Sequence, residues 1–302
     1  MSGSIGGNRI KHERVMPTCL KYLDKVLKGF NGFEGFSCTG SYKARPKEDY
    51  GDIDLVVWIN LPDDLKIIKK KFQNYLNSLP NYITPLFRSG KRQGHKSQMF
   101  GNIVTCQIPI QGQEDNFVQI DNIIVKSKEE LEFVEHYLNL DAQIQTLLTA
   151  SVRVLPRIIV EQDLSYIKWS FHQDINIPIL KDNEEFEVVI SMFKLTIRKV
   201  TLDENKKELS REIVWETTNW TFTEIFIKES LGQPNIHYNN YTFESLLNFV
   251  NNFYKDDERA KRRICGIMNS MINIGPGEIG TEKGIKKQEA IDLAYKILNI
   301  NK

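Results

Sequence analysis

The run Asp52-Ile53-Asp54-Leu55-Val56-Val57-Trp58-Ile59 constrains this chain more than any other segment. From Ile53 to Ile59 it is apolar and rich in β-branched residues, which predicts a buried strand. Side chains alternate across a strand, so Asp52 and Asp54 share one face while Ile53, Leu55 and Val57 share the other. Two carboxylates side by side at the head of an apolar strand are costly unless a cation lies between them. Mg²⁺ fits that demand, because it takes oxygen ligands and is commonly held by one or two carboxylates.

A third carboxylate interrupts another apolar run. In Phe117–Val125, Asp121 breaks a strand pattern, and it meets the Asp52/Asp54 face if the two strands are neighbours. Glu114 and Asp115 fall in the expected hairpin turn between Asn102–Ile110 and Asn116–Val125 and are set aside. Two metal ions about 4 Å apart can clamp the attacking and leaving oxygens of a phosphoryl displacement. Upstream, Gly40-Ser41 offers a tight turn whose backbone N–H groups and hydroxyl can approach a triphosphate. Lys43 and Arg45 extend from the same loop, either toward those phosphates or as a solvated basic loop. The basic stretch Arg88–Lys96 is open to two readings as well, a phosphate-contacting loop that includes Lys96 or an exposed connection.

Gly40-Ser41, then Asp52-Ile53-Asp54, then a lone Asp121 on a strand together resemble the signature of the DNA polymerase beta-like nucleotidyltransferase superfamily, over roughly residues 30 to 125. The resemblance implies that Asp52 and Asp54 bind both catalytic metal ions, Mg²⁺ or Mn²⁺. Asp121 would join one of them and help activate an acceptor hydroxyl, and Gly40 and Ser41 would hold nucleotide phosphates. The implied reaction moves a nucleoside monophosphate from an NTP to that hydroxyl. An RNA 3′ end is the first acceptor expected, because the superfamily includes RNA-tailing and tRNA-end enzymes. A small molecule or a protein side chain is the runner-up. The rival from another class is a non-catalytic protein that keeps the fold for nucleotide binding or assembly. The Gly-Gly-Asn start and the helical C-terminal half are also similar to nucleotidyltransferase-fold proteins of tailed bacteriophages.

The rest of the sequence sets the frame. A composition that is 41% hydrophobic and 26% charged is that of a globular protein, and a net charge of +1 conceals local basic and acidic clusters. Cys19, Cys38, Cys106 and Cys265 lie far apart without ligand spacing, which argues against structural zinc and against a disulfide framework. With no secretory leader and no apolar span, the expected setting is cytoplasmic, without a membrane partner. The predicted fold is α+β (α/β): a small mixed sheet with helices over residues 1–127, then a mainly helical domain with a β-hairpin over 128–302. In the first domain Val15, Leu20, Leu23, Val26 and Leu27 mark one helix face, and Pro62-Asp63-Asp64 opens a second helix. In the second, a hairpin formed by Phe186–Val200 and Glu208–Trp215 turns at Asp203-Glu204-Asn205. Arg259–Arg263 lies on a helix there, where a solvated face is the default.

Overall fold

Alternation along Asp52–Ile59 decides how the first part of the chain is built. Ile53, Leu55, Val57 and Ile59 turn to one face of a sheet, where each is at most 2% exposed. A computed structural model describes residues 7–44, 47–79, 82–88, 91–92, 96–231 and 242–301. It divides into two compact units, Met1–Asp141 and Ala142–Lys302, and is mixed α+β.

In chain order the first unit carries β1 (Ile10–Lys11), α1 (His12–Lys25), β2 (Phe33–Thr39), the single-turn α2 (Ser41–Ala44) and β3 (Asp49–Tyr50). Then come β4 (Asp52–Ile59), α3 (Leu65–Ser78), β5 (Phe87–Arg88), β6 (Lys91–Arg92), β7 (Ser97–Phe100), β8 (Ile103–Ile110), β9 (Gln113–Val125) and α4 (Lys128–Leu138). The main sheet has the order β2-β4-β9-β8-β7. β4 and β9 run parallel, and every other neighbouring pair is antiparallel. Parallel neighbours require a long crossover, which α3 and the β7–β8 pair provide here.

One face of this sheet is the core. α1 contributes Val15, Cys19 and Tyr22 to it, and α3 contributes Ile68, Phe72 and Leu76. Leu20, expected on that face of α1, is 50% exposed, because the buried stripe passes through Val15, Cys19 and Tyr22 instead. Pro62-Asp63-Asp64 lies just ahead of α3, and Asp64 caps it by accepting a hydrogen bond from the Ile67 N–H at 2.9 Å. The β8–β9 turn narrows to Gln111-Gly112, with Gly112 at φ +75°. Glu114 and Asp115 therefore belong to β9 rather than to the turn. α4 packs on β2 and β4, and the Trp58 indole donates to the Lys126 carbonyl at 3.1 Å. The expected division near residue 127 thus precedes a helix that belongs to the first unit, whose limit is Asp141.

The second unit contains α5 (Ala142–Val152), α6 (Arg157–Ser170), β10 (Glu184–Ile190), β11 (Leu195–Leu202), β12 (Glu208–Thr217), α7 (Trp220–Ser230), α8 (Phe243–Phe253), α9 (Glu258–Ile272) and α10 (Glu282–Ile297). The β11–β12 hairpin turns at the expected Asp203–Asn205, and β10 adds a third antiparallel strand. Phe186–Val200 is two strands rather than one, since Ser191–Lys194 closes a turn with the Ser191 N–H donating to the Lys194 carbonyl at 2.9 Å. Among the described residues, no helix is long and apolar enough to cross a membrane.

Phe72 is fully buried and meets the Phe30 ring edge-on at 5.1 Å. Phe72→Ala should lower unfolding free energy by about 3–5 kcal/mol, against less than about 0.5 kcal/mol for Leu20→Ala. Urea denaturation of both variants measures this, and equal losses would contradict the assigned helix faces.

Candidate active site

The sheet face opposite the core is polar at its middle. Asp54 on β4 pairs in register with Asp121 on β9, and Asp52 pairs with Gln119. On β8, Thr105 is the partner of Asp121 and Gln107 of Gln119, and on β2 Thr39 is the partner of Asp54. Thr39, Thr105, Gln107, Gln119 and Asp121 are all buried, so a polar stripe crosses four adjacent strands at one level. Strand alternation produces this stripe, because these residues occupy the positions between the apolar ones.

Each carboxylate has a different environment. Asp121 accepts from the Thr105 hydroxyl at 2.7 Å and from the Gln119 side-chain amide at 2.9 Å, both at Oδ1. Burial raises its pKa, and these two hydrogen bonds work against the rise. Asp52 is raised by burial and by the charge of Asp121, with Lys47 and Arg9 opposing. Asp54 is pushed up to about 7, first by burial and then by the charges of Asp52 and Asp121. Among the described residues, no cation forms an ion pair with any of the three.

Gly40 sits directly against this group. Its φ is +69°, and a Cβ added there would lie 2.2 Å from Asp54 Oδ2. Only glycine allows the backbone both that conformation and that approach. Ser41 follows as the first residue of α2, with the Lys43 N–H closing onto the Gly40 carbonyl at 3.1 Å. An aromatic group anchors the loop: His12 stacks on Tyr42 at 4.9 Å and bonds the Tyr50 hydroxyl at 2.9 Å. The Thr39 hydroxyl donates to the Asn139 side chain at 3.0 Å, tying the end of β2 to the residue after α4.

The structure thus brings Gly40, Ser41, Asp52, Asp54 and Asp121 together. Two of the basic residues are engaged elsewhere. Lys43 forms an ion pair with Glu135 of α4. Lys96 donates to the Leu79 carbonyl at 2.6 Å, and it precedes β7, three strands from β4, or about 14 Å across the sheet. Arg45 and His95 lie outside the described residues. Sequence reading missed Thr105 and Gln119, which hold Asp121. Their signal was a polar residue at a buried position of an otherwise apolar strand.

The donor set consists of oxygens, which suits Mg²⁺ or Mn²⁺. Gln119 Oε1 is buried beside these acids without a hydrogen-bond donor, an orphan acceptor of the kind that a hydrated cation or a ligand satisfies. The side chains are not drawn into a finished cage: among the described residues, no three acidic, His or Cys side chains converge as a metal-holding group. Like charges have no reason to converge without a cation. No protein-family model matches the chain, and no curated protein matches it.

The raised Asp54 value has a pH consequence. The native chain keeps a proton that the unfolded chain releases near 3.8, so this contribution is complete at low pH and is lost as pH rises through about 7. Without divalent ions, stability should fall between pH 4 and 7 by on the order of 1–3 kcal/mol, and Asp54→Asn should flatten the profile. Melting curves across that range test this, and parallel profiles for the two proteins would refute it.

Proposed function

We propose that this protein is a metal-dependent nucleotidyltransferase that moves a nucleoside monophosphate from an NTP to an acceptor hydroxyl, with an RNA 3′ end as the acceptor. The observation that carries the reading is the register of Asp54 with Asp121 on parallel strands, with Gly40 pressed against Asp54. Two acids in register, a third on the same sheet face and a side-chain-free turn against them form a combination that structural stability alone does not favour.

Asp52, Asp54 and Asp121 are the residues that would hold Mg²⁺ or Mn²⁺. When bound, such ions neutralise the triphosphate and make the acceptor hydroxyl easier to ionise. Gly40 and Ser41 offer backbone N–H groups and a hydroxyl to the phosphates, beside the acids. Thr105 and Gln119 fix Asp121, which takes the proton of the acceptor hydroxyl. The acceptor oxygen bonds to the α-phosphorus, the bond from that phosphorus to the bridging oxygen breaks, and pyrophosphate leaves with the electron pair. Catalysis in this scheme is positioning and charge neutralisation.

Incubation with each α-labelled NTP, Mg²⁺ or Mn²⁺ and pooled RNA should transfer label to RNA. Asp52→Ala or Asp54→Ala should lower the rate at least about a hundredfold without unfolding the protein, since each removes a repulsive charge. Full activity in Asp54→Ala would end the catalytic assignment. Mn²⁺ at about a hundred times its Kd should stabilise the wild type by about 2.7 kcal/mol and leave an Asp52→Ala/Asp54→Ala protein unchanged.

A further inference from the structure

The second unit holds a cleft that nucleotidyl transfer at the aspartates does not use. It has a volume of about 460 Å³ and lies between the β10–β12 sheet, Arg153 at the end of α5, and α9. Glu187 organises its charge. Arg153 donates to Glu187 Oε1 from Nε at 3.2 Å and from Nη2 at 2.7 Å. Arg198 and Arg211 approach Oε2 at 3.5 and 3.6 Å, yet that oxygen is buried and has no hydrogen-bond partner. Burial would raise the Glu187 pKa, but the arginines more than offset it and hold the group below its ordinary value. One carboxylate therefore fixes the Arg153 guanidinium and attracts those of Arg198 and Arg211 without neutralising all three.

Two further cations line the cleft with no ion pair or hydrogen bond from their side chains among the described residues, Arg263 on α9 and Lys206 in the β11–β12 turn. Lys206 is fixed there at φ +60°, its N–H donating to the Asp203 carbonyl at 3.0 Å. The remaining acids of the cleft are exposed, and one of them, Glu208, is already paired with Arg211; the other is Glu185. Gly266 forms part of the α9 wall, and a Cβ added to it would meet nothing within 4 Å. Glycine inside a helix is unfavourable, and no packing contact requires it here; it leaves the cleft open.

Free cations on separate elements, around a floor of pre-oriented guanidiniums, suit successive phosphates along a strand better than a single ion. We propose that this cleft binds the phosphodiester backbone of a polynucleotide, with Arg263 and Lys206 making the charge contacts, Glu187 holding the guanidinium of Arg153 and Glu208 that of Arg211. The choice of a polynucleotide rests on the nucleotidyltransferase reading with an RNA acceptor; the anion site itself does not.

Anisotropy of a labelled 12-nucleotide single-stranded RNA with the full-length protein, titrated at several salt concentrations, tests it. The Arg263→Gln/Lys206→Gln variant should bind at least about tenfold more weakly, with a salt slope smaller by about one to two. Gly266→Leu should weaken binding while melting at the same temperature or higher. Lys286→Gln, which removes a cation paired with Glu282 on α10, should match the wild type. Unchanged affinity and slope in the double variant would overturn the proposal, as would an equal loss in Lys286→Gln. So would a wild type that takes up inorganic phosphate or NTP in the cleft but no RNA. Binding is read without transfer, so the two readings can fail separately. An Asp52→Ala/Asp54→Ala protein that still needs Arg263 for RNA keeps the cleft. Active transfer with RNA binding indifferent to Arg263 removes the cleft alone.

Discussion

The first unit depends on holding three like-charged carboxylates at the half-buried face of a sheet whose other face is largely apolar. Asn122 on that other face accepts from the Tyr22 hydroxyl and donates to the Val104 carbonyl. Ile53, Leu55 and Val57 cannot leave the core without exposing a continuous apolar row, so Asp52 and Asp54 cannot leave the opposite face. A one-residue slip of β4 against β9 would turn the acids into the core, and the register Asp54 to Asp121 is protected by the same apolar rows. Gly40 is a consequence: a side chain there would collide with the Asp54 carboxylate, so the turn after β2 must be bare for that carboxylate to keep its place. Thr105 and Gln119 then offset part of the cost of burying Asp121.

Three buried acids in this chain show burial raising a carboxyl pKa and neighbours deciding whether that rise survives. Asp54 is pushed up to about 7 first by burial and then by the two acids beside it. Asp163 in the second unit also reaches about 7, by burial, with one hydrogen bond from the Ser230 hydroxyl at 2.5 Å holding it back. Glu187 is half-buried as well, yet it lies below its ordinary value because three arginines surround it. The first arrangement invites a cation and the third leaves positive charge to spare. Opposite electrostatics in the two units are what connect an acid-rich site to a reading in metal-assisted phosphate chemistry and a base-rich cleft to a reading in phosphate binding.

Much of this was legible from residues alone. Strand alternation put Asp52 and Asp54 on one face, and the glycine-serine turn, the interruption of an apolar strand by Asp121 and the helical second half were readable as patterns. Short-range pattern failed where long-range contacts decide. Leu20 looked like a core residue because it is apolar, and only the packing of α1 on the sheet shows that Val15, Cys19 and Tyr22 carry the buried stripe. Lys43 and Lys96 were plausible phosphate contacts as cations, but Glu135 and the Leu79 carbonyl, neither adjacent in sequence, occupy them.

By itself, the sequence determined the α+β class, the two-faced strand at Asp52–Ile59 and the residues able to carry acid chemistry, because alternation and residue type are local properties. Tertiary structure alone decided which residues support them. Thr105 reaches Asp121 across β8 and β9, Tyr50 reaches His12 across 38 positions, and Glu187 gathers Arg153 from the turn after α5 and Arg198 and Arg211 from the β-meander. Such partners are set by strand pairing and helix packing between distant segments, and no local pattern encodes those distances.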